Sequence, residues 1–107
     1  MRLDPDHVGA TGHSQGGFGS SEIGTDPHIH TTIPVCGAIG SSNLTGPALI
    51  ICGGNDTNVP CPGPPLNAYN GTSNQPVMHA NCLSADHGGW VTMFGTSLNP
   101  IEVADTA

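Results

Sequence analysis

The sequence predicts an α/β fold on a parallel sheet, and three observations carry that prediction. Pro47-Ala48-Leu49-Ile50-Ile51-Cys52 is an unbroken apolar run of strand length, the pattern of a strand buried on both faces, as strands of parallel sheets are. Pro76-Val77-Met78-His79-Ala80-Asn81-Cys82 is a second run of that length, and like the first it opens into a loop. Val8-Gly9-Ala10-Thr11 leads straight into Gly12-His13-Ser14-Gln15-Gly16. There the chain is expected to leave a strand, turn sharply at the serine and start a helix, with glycines flanking the turn because side chains would collide in it.

The elements follow in order. The first strand is expected over residues 7–12 and the helix after the turn over 15–23. Val35-Cys36-Gly37-Ala38-Ile39 marks a second strand over 31–39. The connection 40–46 is too short for a lid domain or a crossover helix. The third strand covers 48–52. A Pro-rich stretch over 60–72 holds a brief helix around 65–69, ended by Asn70-Gly71. The fourth strand covers 77–82. A last helix over 89–97 is expected from Trp90, Met93, Phe94 and Leu98 at helical spacing, and the tail over 100–107 is expected to be loose.

Each predicted strand end carries a residue with chemistry. Ser14 lies in the first turn, Asp56 in Gly53-Gly54-Asn55-Asp56-Thr57-Asn58-Val59-Pro60, and His87 in Ala85-Asp86-His87-Gly88. A serine hydroxyl is a poor nucleophile until a neutral imidazole takes its proton, and a carboxylate fixes the tautomer of that imidazole. Ser, Asp, His, each after its own strand, is the chain order of the α/β-hydrolases and not that of the chymotrypsin or subtilisin folds. Asp86 is a rival for the acid role, although adjacent side chains on an extended loop point apart.

From Leu3 to Trp90 the chain resembles the C-terminal half of an α/β-hydrolase of the cutinase, polyester-hydrolase and dienelactone-hydrolase type. The resemblance is carried by residues 2–9 leading into Gly12-His13-Ser14-Gln15-Gly16-Gly17, by residues 47–53 with Asp56 and Val59-Pro60, and by Ala85-Asp86-His87. It implies about four parallel strands in the order one-two-three-four with helices on both faces. It implies Ser14 as nucleophile, His87 as general base, Asp56 as the orienting carboxylate, the backbone N–H of Gln15 as an oxyanion donor and Trp90 on the substrate side. The activity implied is that of a serine esterase working through an acyl-enzyme on short accessible esters, polyesters among them, with no cofactor.

Such hydrolases place several strands before the serine, and the loop after their third strand donates a second oxyanion N–H. Here the serine is residue 14, so residues 1–107 read as one partial domain lacking the N-terminal half of the usual fold. Losing one oxyanion donor costs about 100- to 1,000-fold in turnover. A first strand without its usual neighbour is an exposed edge that invites pairing with another chain, which predicts a homo-oligomer joined across residues 7–12. The alternative is a hydrolase remnant without catalysis that acts as a folded or oligomerising module.

Composition narrows the partners. Arg2 is the only Lys or Arg and the net charge is −7, so nothing can neutralise phosphates and nucleic acid is excluded. No apolar stretch is long enough to span a bilayer, and the amino terminus has no signal-peptide pattern, although full-length relatives are expected to be secreted.

Of the four cysteines, Cys36 and Cys52 lie in apolar strand runs and read as buried thiols. Cys61 and Cys82 flank the loops of Asp56 and His87, and a bridge between them would pin one loop to the other. No Cys-x-x-Cys spacing occurs, so no metal is assigned. His28 and His30 offer two imidazoles on one side of an extended segment but lack a third ligand at clear spacing. His13 is expected to pack beside the nucleophile, and His7 and His79 to be surface or strand residues.

Overall fold

The apolar runs become neighbouring strands. In the computed structural model of the chain, which describes residues 2–88 and 103–105, β1 (Gly9–His13), β2 (Thr31–Val35), β3 (Ala48–Gly53) and β4 (Val77–Cys82) lie side by side in that order and are all parallel. A fifth strand, β5 (Val103–Asp105), pairs antiparallel with β4, Val103 opposite Cys82. The sheet is thus mixed at one edge, and part of the tail expected to be loose is strand. The helix expected over 89–97, Trp90 included, lies outside the described residues.

Register fixes which side chains share a face. Thr32 pairs with Ala48, Ala48 with Val77, Ile50 with His79 and Cys52 with Asn81. Thr32, Pro34, Ala48, Ile50, Cys52 and His79 are buried, whereas the alternating Thr31, Ile33 and Met78 are exposed, as the period-two geometry of a strand requires. The buried face is covered by α1 (Gln15–Glu22) with its 3-10 extension Ile23–Thr25, and by α2 (Pro64–Gly71). Ala68 of α2 packs on Ile50 and Ala38, with Tyr69 and Val77 closing the cluster. Gly24 follows α1 and lies so close to Thr32 that a Cβ would touch its methyl. Both described helices therefore lie on one face of the sheet, and the helix expected over 89–97 lies outside the described residues.

The helices themselves are weak formers, held by packing and polar contacts. Gly17 lies where a Cβ would strike the carbonyls of Val35 and Gly37, so its missing side chain lets α1 close on the end of β2. Ser21 Oγ donates to the carbonyl of Gly17 and accepts from the Ile39 N–H at 2.9 Å, tying α1 to the segment after β2. That segment, residues 36–47, crosses to β3 without a helix, and it includes the connection 40–46 expected to hold none. β2 ends sooner than expected because Cys36 takes a positive φ of 52°, which no strand residue can adopt. α2 starts with Pro64 and Pro65, where a proline loses no helical hydrogen bond.

Candidate active site

Ser14 stands between β1 and α1 at φ 59°, ψ −116°. A non-glycine residue held at positive φ costs about 1–3 kcal/mol and persists only where its surroundings impose it. Here the Ser14 N–H donates to the Val35 carbonyl at 2.9 Å and its own carbonyl accepts from Phe18 N–H at 3.1 Å, opening α1. A Cβ at Gly12 would run into the backbone of Gly16, so that glycine is required by the turn. At Gly16 an added Cβ would meet nothing within 4 Å. Within residues 12–17 the obligatory glycines are Gly12 and Gly17, and the expectation that Gly16 is needed to avoid collision is corrected.

The loops after β3 and β4 bring the other two residues to this turn. Ser14 Oγ lies 2.9 Å from His87 Nε2, and His87 Nδ1 lies 2.7 Å from Asp56 Oδ2. With Asp56 ionised, Nδ1 carries the ring proton and donates it, leaving Nε2 to accept from the Ser14 hydroxyl. The Asp56 side chain is fully buried and that of His87 is 20% exposed. Burial of Asp56 works against its ionisation and is outweighed by the Val59 N–H, the His87 ring and the Asn58 N–H, so its carboxyl is held below the usual value of 3.8. Both amides reach Oδ1 at 2.8 Å. Asp86, the rival carboxylate, is exposed.

Beyond the His87–Asp56 bond, the two loops are held together by backbone. Gly54 N–H donates to the Cys82 carbonyl at 2.9 Å and Asn55 N–H to the Ala85 carbonyl at 3.0 Å. A Cβ on Gly53 would meet the Ala85 carbonyl and one on Gly54 the Leu83 carbonyl; the glycine pair is what lets the loops approach. No disulfide joins them. The bridge is Cys52 to Cys61, closing the Asp56 loop on itself, and this corrects both the pairing of Cys61 with Cys82 and the reading of Cys52 as a thiol. The register gives the reason: Cys52 pairs with Asn81, and Cys82, the next residue, points to the opposite face of the sheet.

Two residues beside the site were undervalued by sequence reasoning. His13 Nε2 donates to the backbone carbonyl of His87, and the two rings lie 4.8 Å apart between centroids. His13 therefore holds the His87 loop from the turn side. Cys36 is fully buried, and its sulfur lies within 4.8 Å of ring nitrogens of His13 and His87. The only signal for it in the sequence is the small-residue run after β2. Gln15, at the first position of α1, offers an N–H with no carbonyl one turn earlier to accept it. His28 bonds to Asp26 Oδ1 at 2.7 Å, whereas His30 Nδ1 accepts from Val8 N–H at 3.0 Å. Those two rings serve separate partners, and among the described residues no metal-capable cluster contains either. No helix among the described residues is long and apolar enough to cross a membrane. No protein-family model matches the chain and no curated protein matches it, so its chemistry has to be argued from the geometry around Ser14.

Proposed function

We propose that the chain is a serine carboxylic-ester hydrolase acting through an acyl-enzyme on short, accessible esters, polyester ends included. One observation carries the reading: a serine held at positive φ is hydrogen-bonded through a histidine to a buried carboxylate, at 2.9 Å and 2.7 Å. Ser14 Oγ attacks the ester carbonyl while His87 Nε2 takes its proton, and Asp56 stabilises the imidazolium that forms. The oxyanion of the tetrahedral intermediate faces the Gln15 N–H and the start of α1, where partial positive charge accumulates. His87 then returns the proton to the leaving alcohol, and a water deprotonated by the same nitrogen releases the acid.

The surroundings of the serine support this substrate class. Among the described residues, 36–47 form no helix over it, and Gly16 and Gln15 beside it are exposed, which supports access by short esters and by the ends of polyesters. The test is hydrolysis of p-nitrophenyl acetate and butyrate by the chain and by Ser14→Ala, with a fluorophosphonate probe as an independent reporter of an activated serine. Equal rates and no labelling would favour the alternative, a folded module without catalysis. Among the described residues β1 is an edge strand of the sheet, with a groove lined by Gly9, Ala10, Thr11, Thr31 and Ile33 beside it. An edge of unpaired N–H and C=O groups favours self-association, and the second oxyanion donor is then supplied across it. Specific activity is expected to fall on dilution in step with the sedimentation coefficient; constant activity in a monomeric sample would remove the dimer from the reading.

A further inference from the structure

Behind the Asp56 loop, on the helix-covered face of the sheet, Cys52, Cys61 and His79 form a closed group. Cys52 is fully buried, His79 is 2% exposed and Cys61 8%. His79 Nε2 lies 3.1 Å from Cys52 Sγ and 3.6 Å from Cys61 Sγ. The three donor atoms all fall within 4.8 Å of one another. Next to them stands Asn81, opposite Cys52 in the β3–β4 register and two residues on from His79 along the same face. Its Oδ1 is buried and has no hydrogen-bond partner among the described residues, a state that normally costs about 1–3 kcal/mol. Two sulfurs and an imidazole nitrogen within 4.8 Å of one another, with an unpartnered amide oxygen on the same face of the sheet, suit a thiophilic divalent cation once the sulfurs are thiolates.

We infer that reduction of the Cys52–Cys61 bridge turns this group into a zinc-class metal site, with the two thiolates and His79 Nε2 as ligands and Asn81 Oδ1 as the fourth donor. A dithiol or phosphine reductant supplies two electrons to the S–S bond and is itself oxidised, and two protons complete the thiols. The cation then displaces both thiol protons, which leave to solvent. No Cys-x-x-Cys spacing signals the site because its ligands come from β3, from the loop after β3 and from β4. The clasp is therefore exchangeable: the loop carrying Asp56 is closed by a disulfide under oxidising conditions and by a bound cation under reducing ones. The site does not depend on the esterase reading.

The full chain, reduced with a phosphine under nitrogen and titrated with Co2+, is expected to bind one equivalent, with a thiolate-to-cobalt charge-transfer band that Zn2+ abolishes by displacement. The oxidised chain shows no band. Cys61→Ser and His79→Gln each weaken binding by about 100-fold or more, above the range for a group that merely orients a ligand, whereas Cys82→Ser binds as the parent does. In peptide-mapped alkylation, Zn2+ protects Cys52 and Cys61 of the reduced chain from iodoacetamide and leaves Cys82 unprotected. Absence of the band in a reduced chain that keeps its circular dichroism overturns the proposal. So do undiminished binding by His79→Gln, and a reduced chain that unfolds and is not restored by Co2+.

Discussion

His87 and His79 belong to one arm of the molecule, β4 and the loop after it, and their surroundings prepare them for opposite tasks. His87 is partly open to solvent and hydrogen-bonded at both ring nitrogens, to a carboxylate on one side and a hydroxyl on the other. That arrangement fixes the tautomer and gives a developing imidazolium a counter-charge, which suits proton transfer. His79 is buried and faces the two sulfurs of the Cys52–Cys61 bridge. Burial pushes its pKa below 6.5, and in the metal site inferred above its nitrogen would serve a cation and not a proton. The difference teaches that the role of a histidine here is set by the neighbours each loop delivers, and not by its distance from Ser14 along the chain.

The contrast can be broken most severely at the serine end. Ser14→Ala and His87→Ala are each expected to lower kcat for p-nitrophenyl butyrate by about 10⁴-fold or more, while His79→Gln, checked by circular dichroism for fold, stays within about tenfold of the parent. A comparable loss in all three would erase the distinction between the two histidines.

Asp56→Asn removes the charge that selects the His87 tautomer and is expected to cost about 10⁴-fold in kcat. It also changes the acid limb of stability. The Asp56 carboxyl titrates below 3.8 in the folded chain, so the unfolded state binds its proton first as pH falls. Its stabilisation is complete above about 3.8 and is lost as pH drops through the folded value. Urea melts between pH 6 and pH 2 should show a flatter acid limb for Asp56→Asn; parallel limbs would mean the carboxylate is not held by its hydrogen bonds.

His13→Ala sharpens the comparison from the side of positioning. With its bond to the His87 carbonyl gone, kcat should fall by about tenfold to 100-fold, an expectation for a displaced catalytic group, with KM little changed and the His13→Gln variant partly restoring the rate. The smallest effects are expected at the turn. Gly17→Ala should destabilise by about 1–3 kcal/mol through collision with the Val35 and Gly37 carbonyls, and Gly16→Ala should stabilise by about 0.5–1 kcal/mol as a helix substitution into open space. Thermal melts of both variants decide it.

Much of this was legible because it depends on local pattern. β3 and β4 lie within a residue of where their apolar runs place them, and the turn at Ser14 lies where Gly12 and the strand before it place it. What escaped depends on which side of a sheet a residue faces and on what backbone carbonyls do. Cys61 and Cys82 flank the two loops in sequence, yet the pleat turns Cys82 away and leaves it a buried thiol whose pKa burial raises. The seam from Gly54 and Asn55 to Cys82 and Ala85 has no side-chain signature beyond the glycine pair. His79 reads as an ordinary strand residue until α2 and the Asp56 loop close over it.

The hydrogen bond between Ser14 and His87 spans 73 positions of the chain, and that from His87 to Asp56 spans 31. Contacts of such separation form only after much loop-closure entropy has been lost, and they come late in folding. A partly folded chain with β1 and α1 in place would still present an ordinary, inert serine. Under the proposed mechanism, labelling of residue 14 by a fluorophosphonate is thus a clock for the last stage of folding, since it begins only when the loops after β3 and β4 have reached the turn after β1.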